Sequence, residues 1–265
     1  MITSINNPRV KDAVRLRERR ERSKQRLFGV EGAREISHAL AGRFVPHHGF
    51  FCEESLTPES RALLSIIESS SRARLEAVSL PVFARMAVRE SSDGLWTAFE
   101  SVNRRLDELV ASELDLVLVL ENVEKPGNLG ALMRTADGVG ATVVVLGQGV
   151  DPFGPNTIRA SLGAVFRVPL VITSSKEFRD FCHCKGIAIV ACSPAGSRLY
   201  HQVDLGGPVA ILIGSEAHGL TREWIDCAKW DVSIPMSGAV DSLNASIAGA
   251  ILLYEAVRQR SVGRP

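Results

Sequence analysis

LDLVLVLENVEKPGNLGALMRTADGVGATVVVLG, residues 114–147, holds the information that decides the fold. An apolar run leads to Glu121-Asn122, a turn is predicted over Pro126-Gly127-Asn128-Leu129-Gly130, and LGALMRTA reads as a helix before the second run, ATVVVLGQ. Strand, glycine turn and helix in that order suggest a phosphate cradle. A dinucleotide site would want GxGxxG after the first strand and an acid after the second, but the glycines here are spaced G-N-L-G and the second strand ends in LGQG. A P-loop would need GK[ST] at the helix start, which is missing. Two residues are left without a role by these readings. Arg134 stands one and a half turns into the helix, and Asn128 lies between two glycines.

The alternation continues on both sides. Downstream, VFRVPLVI, IAIVACS, PVAILIGSE and WDVSIPM are strand candidates. NTIRASLGA, SKEFRDFCHCKG, TREWIDCAKW and a final segment from Ser242 to Arg260 are helical candidates. Near-continuous Val/Ile/Leu runs joined by helices predict an α/β fold with a mostly parallel sheet covered on both faces. In such sheets ligands sit beyond the carboxyl ends of the strands, so the residues after each strand are the informative ones. Upstream, residues 1–26 read as a basic helix, and LFGVEGAREISHALAG opens a small alternating α/β domain that closes with GLWTAFESV. The expected organisation is a basic arm and small domain over 1–102, a polar linker over 103–115, and a larger domain over 116–265.

The 265 residues carry a formal net charge of only +1, but the charge is unevenly placed. Between Arg9 and Arg26 nine cations (Arg9, Lys11, Arg15, Arg17, Arg19, Arg20, Arg22, Lys24, Arg26) face three acids, a local excess of +6. Such a block is either a solvated helix or a polyanion contact. The cysteines are odd in number, five, and irregularly spaced, which points to a reducing compartment rather than a disulfide framework. Cys182-His183-Cys184 lacks paired-CxxC spacing and sits in an amphipathic helix, so no metal site is read there. The N-terminus shows no apolar signal core, and no stretch approaches the roughly 20 apolar residues of a membrane span. A cytoplasmic protein is expected.

Two further loops carry chemistry. Ile213-Gly214-Ser215-Glu216-Ala217-His218-Gly219-Leu220 follows PVAIL directly, where glycines permit a sharp turn and close ligand approach. Ile234-Pro235-Met236 closes a strand, and Ser242 and Asn244 stand at the mouth of a helix that is apolar nearly all round. Taken alone, the Ser and Asn are ordinary helix caps, and the helix is a buried or interface element.

Together the three loops resemble the motifs of the SpoU/TrmH family of RNA ribose methyltransferases. N-x-G-A-x-x-R-T-A occurs as Asn128 to Ala136, G-S-E-x-x-G-L as Gly214 to Leu220, and I-P-M with S-L-N at 234–236 and 242–244. NTIRASLGAVFRVPL, 156–170, looks like the family's connecting segment, and the resemblance covers roughly 114–260. ITSINNPRVKDA and FGVEGAREI look like the RNA-binding extension of two-domain members. Ala217 and Ala245 depart from the motif by small replacements; Ala217 matters only if that position needs a positive φ.

The resemblance implies a C-terminal deep trefoil knot that binds S-adenosylmethionine, and transfer of its methyl group to a ribose 2′-hydroxyl of structured RNA. It also implies a homodimer packed through the knot, with the arginine approaching the other chain's cofactor. Ribosomal RNA, 23S above all, is the expected substrate; transfer RNA, or a non-catalytic RNA-binding or ribosome-assembly role, are the alternatives. Leu212, Gly214, Glu216, Gly219, Ile234, Met236 and Leu243 are the implied cofactor residues. Arg134, Asn128, Glu216, Ser242 and Asn244 are the implied catalytic set. Arg134 is either the base that takes the hydroxyl proton or, since guanidinium stays protonated, a phosphate clamp. His218 is a weaker candidate base. RNA contacts are expected from Arg9, Lys11, Arg17, Arg19, Arg20, Lys24, Arg26, Arg134 and Arg159.

Overall fold

The computed structural model describes residues 1–70, 73–88, 92–147 and 149–262; Gln148 of the LGQG strand end lies outside them. The chain forms two compact units. Unit 1 is Met1–Val102 with Asp151–Arg167, and unit 2 is Asn103–Val150 with Val168–Pro265.

In unit 1, α1 (Pro8–Arg15), α2 (Arg19–Gln25), β1 (Leu27–Glu31), α3 (Ala33–Ala41), β2 (Pro46–Phe51), α4 (Pro58–Ser70), β3 (Arg74–Ala77), α5 (Leu80–Met86) and β4 (Leu95–Glu100) follow in order. The four strands make one mixed sheet in the order β1–β4–β2–β3. β4 is central and buried along nearly its whole length because it is covered on both faces. The basic segment read as one helix is two. Asn7 caps the first through its side chain, and the chain bends at Leu16–Glu18, where Glu18 is extended. The bend exists because Leu16 and Arg22 both turn inward, at 2% and 6% exposure. SLPVFARMAV carries the helix α5, whose Pro81 sits in the first turn, and the short strand β3 stands between α4 and α5.

Residues 151–167, expected with the larger domain, pack with unit 1. They contain α7 (Pro155–Ser161) and a 3-10 turn at Ala164–Phe166. The physical reason is aromatic: Phe153 and Phe166 stack on Phe28 at 4.7 and 5.8 Å between ring centres, and Phe44 meets both edge-on. Asp151 accepts from the buried Arg22 guanidinium at 2.6 and 2.8 Å, so its charge is balanced within the same unit.

Unit 2 contains β5 (Leu116–Glu121), α6 (Pro126–Val139), β6 (Thr142–Leu146), β7 (Leu170–Thr173), α8 (Ser175–Lys185), β8 (Ala188–Cys192), β9 (Arg198–Leu199), β10 (Val209–Ile213), α9 (Arg222–Cys227), β11 (Trp230–Ser233) and α10 (Ala245–Val262). The seven strands lie in the order β7–β6–β5–β10–β8–β11–β9, and every neighbouring pair is parallel. From β5 the chain proceeds outward through β6 and β7. From β10 it proceeds the other way, beyond β8 to β11. The β5/β10 boundary is therefore the topological switch point, where a ligand crevice is expected.

The predicted turn at 126–130 is already helix: Pro126 occupies the first turn of α6, where its missing N–H costs nothing. Cys182 packs into the unit 2 core while Cys184 is exposed, and burial pushes the Cys182 thiol up to about 12. Among the described residues no helix is long and apolar enough to cross a membrane.

Candidate functional site

The segments after β8, β10 and β11 meet at the carboxyl end of the sheet, and Lys125 from the loop after β5 joins them. An open cleft of about 550 Å³ there, within the size range of cofactor sites, is lined by residues 213–219, Ile234, Met236, Asp241, Ser242, Leu243 and Asn244. Gly214 is required by close approach: a Cβ on it would lie 2.1 Å from the carbonyl carbon of Gly219. Gly219 has φ +66°, and the turn is closed by Ser215 N–H to Gly219 O at 3.1 Å and Gly219 N–H to Ser215 O at 2.9 Å. Ala217 does not take a positive φ, so its replacement of glycine adds no strain. The result is a tight turn with glycine at both of its ends on the cleft rim.

Behind the cleft wall a chain of side-chain hydrogen bonds joins all three motifs. Asn128 donates its amide to Glu216, and Asn244 donates to the Asn128 oxygen at 3.0 Å. Glu216 also accepts the Glu124 N–H at 3.1 Å, so the carboxylate sits at the N-terminus of α6, where helix N–H groups lack partners. Burial alone would raise its pKa, but the Asn128 amide and the N–H groups of Glu124 and Lys125 outweigh it and hold Glu216 below the usual carboxylate range. Asn244 in turn accepts from the N–H of Ser246 at 2.9 Å and from its hydroxyl at 2.6 Å, so it caps α10 as well as reaching Asn128.

Not every sequence candidate reaches the cleft. Leu212 is fully buried in the core, and Ile213, one residue on, lines the cleft instead. Arg134 is absent from the cleft wall: it lies on the solvent side of α6 and makes no hydrogen bond or ion pair with a described residue. Asn128 and Arg134, six residues apart, project from different faces of the helix. Lys125, Cys192, Ser193, Pro194 and Asp241 line the cleft without having been singled out. The 192–194 segment was readable in principle, because it follows a predicted strand and every strand's carboxyl end is informative in this architecture.

The basic arm divides. Lys11, Arg19, Arg20, Lys24 and Arg26 are exposed on unit 1, as is Arg159. Arg9 pairs with Glu76, and Arg17 donates to the carbonyls of Arg85, Met86 and Ala87 at 3.1, 2.8 and 2.8 Å. One nitrogen of the Arg17 guanidinium therefore serves the C-terminal end of α5, where the last carbonyls need donors.

Fold and crevice together define an α/β protein with a cleft at the carboxyl ends of a parallel sheet, on the β8 side of the switch-point strand β10. The profile of the SpoU rRNA Methylase family matches residues 115–254, and that of the MRM3-like substrate binding domain matches residues 7–97. A 23S rRNA (uridine(2479)-2′-O)-methyltransferase of Streptomyces viridochromogenes is 31% identical, over 94% of this chain and 88% of its own length. The crystal structure of an RNA 2′-O ribose methyltransferase superposes with a TM-score of 0.81 at 41% identity, covering 98% of this chain and 99% of that one. An S-adenosylmethionine-bound rRNA methyltransferase from Sinorhizobium meliloti gives 0.89 at 30% identity, covering 97% of each chain. The chain belongs to the SpoU rRNA methylase family.

Proposed function

We propose that this chain transfers the methyl group of S-adenosylmethionine to a ribose 2′-hydroxyl of 23S ribosomal RNA, with the cofactor in the cleft of unit 2. Enzyme class and cofactor are those of its family. The observation that carries the placement is the Glu216–Asn128–Asn244 chain, which ties all three motif loops to one cleft wall.

The residues present fit the cofactor. Gly214 and Gly219 leave main-chain groups open to a purine or ribose, and Ile234, Met236 and Leu243 supply apolar lining. Bound there, S-adenosylmethionine supplies an electrophilic methyl group on a positively charged sulfur. Ser242 and Asn244 stand at the cleft edge with polar groups able to orient a ribose. Arg134, exposed and unpartnered among the described residues, is available to grip an RNA phosphate bidentately and so align the 2′-hydroxyl. A guanidinium that remains charged fits that role better than a base.

The exposure of Arg134 away from its own cleft supports a homodimer in which it serves the partner's site. Ile247 and Tyr254, seven residues apart on α10, are 50% and 56% exposed, and Val240 is 64% exposed. These provide the apolar surface that such an interface would cover. A trefoil knot in the C-terminal part accounts for the tight crossing at Gly196, where a Cβ would lie 2.2 Å from the Val232 carbonyl carbon. A cytoplasmic location agrees with five free cysteines.

Labelled methyl transfer to unmodified 23S rRNA, followed by mapping of the 2′-O-methyl position, tests the proposal. Incorporation lost in Arg134→Ala supports it. Incorporation only into transfer RNA would move the substrate, and full activity of Arg134→Ala would remove the arginine from the mechanism.

A further inference from the structure

Glu121, the last residue of β5, lies outside the cleft wall and is buried at 4% exposure. Its carboxylate accepts two hydrogen bonds from one residue, Thr221: the backbone N–H at 2.8 Å on one oxygen and the hydroxyl at 2.9 Å on the other. Thr221 is the residue at which loop 214–220 ends and α9 begins. Glu216 makes the opposite reach, from the loop after β10 to the start of α6 after β5. β5 and β10 are parallel neighbours whose last paired residues are Leu120 and Ile213. The two strand-to-helix turns thus exchange carboxylates, each helix start being held by the acid of the other turn.

We propose that Glu121 is a positioning residue for the S-adenosylmethionine loop, fixing its exit so that the loop holds its binding shape before the cofactor arrives. This rests on the reading of the unit 2 cleft as the cofactor site. Loop 214–220 is anchored at its entry by β10 and tied across its middle by the Ser215–Gly219 pair. Without Glu121 the exit would lose both hydrogen bonds to Thr221, and the released backbone freedom would have to be surrendered again on binding. The effect belongs to cofactor affinity, because Glu121 does not reach the cleft and Arg134 lies on another element.

Full-length Glu121→Ala, Glu121→Gln and Thr221→Val test this by calorimetry with S-adenosylmethionine and by steady-state kinetics on rRNA. Thermal unfolding without cofactor reports whether each variant is folded. For Glu121→Ala the cofactor Kd and KM are expected to rise about tenfold, the equivalent of ~1.4 kcal/mol, while kcat at saturating cofactor stays within about twofold. Glu121→Gln, which keeps one acceptor oxygen, should fall between Glu121→Ala and the parent chain. Thr221→Val, which removes only the hydroxyl, should also weaken binding and serves if Glu121→Ala does not fold. Cofactor-dependent amide protection in the parent chain locates the site. Protection at 214–220 with unchanged Kd in all folded variants would overturn the positioning role. Absence of that protection would overturn the cleft reading beneath it.

Discussion

Asn244 donates its side-chain amide to the side-chain oxygen of Asn128 at 3.0 Å, across 116 residues of chain. Asn128 passes the contact on to Glu216, so the first motif is the link between the other two. The polarity of the chain is set by its end. A carboxylate is an acceptor only, so Asn128 must turn its amide toward Glu216 and its oxygen toward Asn244.

Asn128→Ala should therefore disturb the site through both neighbours. Asn128 is buried at 8% exposure, so truncation leaves Glu216 and Asn244 short of a partner. A stability loss of about 1–3 kcal/mol is expected from that alone. Methylation should fall further than stability, read by urea denaturation alongside labelled-methyl incorporation. Activity that falls no more than folding would make Asn128 merely structural.

Arg134→Ala should reduce methylation at least ~100-fold by misaligning the acceptor, yet leave cofactor affinity unchanged. Arg134→Lys should recover little, since a point charge does not reproduce a bidentate grip. Mixing Arg134→Ala with Asn128→Ala chains tests the dimer. Activity regained in the mixture means that arginine and cleft come from different protomers, and none regained would favour action within one chain.

The basic arm separates into structural and free charges. Arg17→Ala should destabilise the protein by roughly 1–2 kcal/mol through the lost carbonyl contacts. It should leave the salt dependence of RNA binding nearly unaltered. Neutralising Arg20 and Lys24 should do the reverse, each lost phosphate contact lowering the log–log salt slope by about 0.9 or less. Filter binding between low and moderate salt distinguishes the two patterns.

Glu216 has a depressed folded-state pKa, so its contribution to stability is fully present above the ordinary carboxylate value of 4.5. It is lost as the pH falls through the lower folded-state value. The difference in melting temperature between the parent chain and Glu216→Gln should be constant above that window and shrink below it. A difference that instead grows on acidification would contradict the assigned hydrogen bonds.

Arg22→Ala should cost about 3–5 kcal/mol, because it strands the Asp151 carboxylate at a largely buried position. Arg22→Lys should rescue only part of this. The guanidinium serves Leu16 O, Arg17 O and Asp151 at once, and a single ammonium does not span all three. Guanidinium denaturation monitored by tryptophan fluorescence reads the difference.

What the amino-acid order determined by itself was local or periodic. Val/Ile/Leu runs of five or six residues dictated parallel strands, glycines marked the loop after β10, and the residues following three strands named the chemistry. That is legible because strand burial and turn geometry depend on nearby residues. The misreadings arose where long-range partners override local pattern. Arg17 and Arg22 look like solvated charge in a basic run, but carbonyls of α5 and a carboxylate 129 residues away claim them. Residues 151–167 follow a unit 2 strand, yet two phenylalanines commit them to unit 1. Glu121 looks like an acid closing a strand, and Glu216 like a loop acid of the second motif. Only the placement of β5 beside β10 brings each one to the other's helix, because hydrogen bonds act over about 3 Å and the sheet order decides which turns come that close.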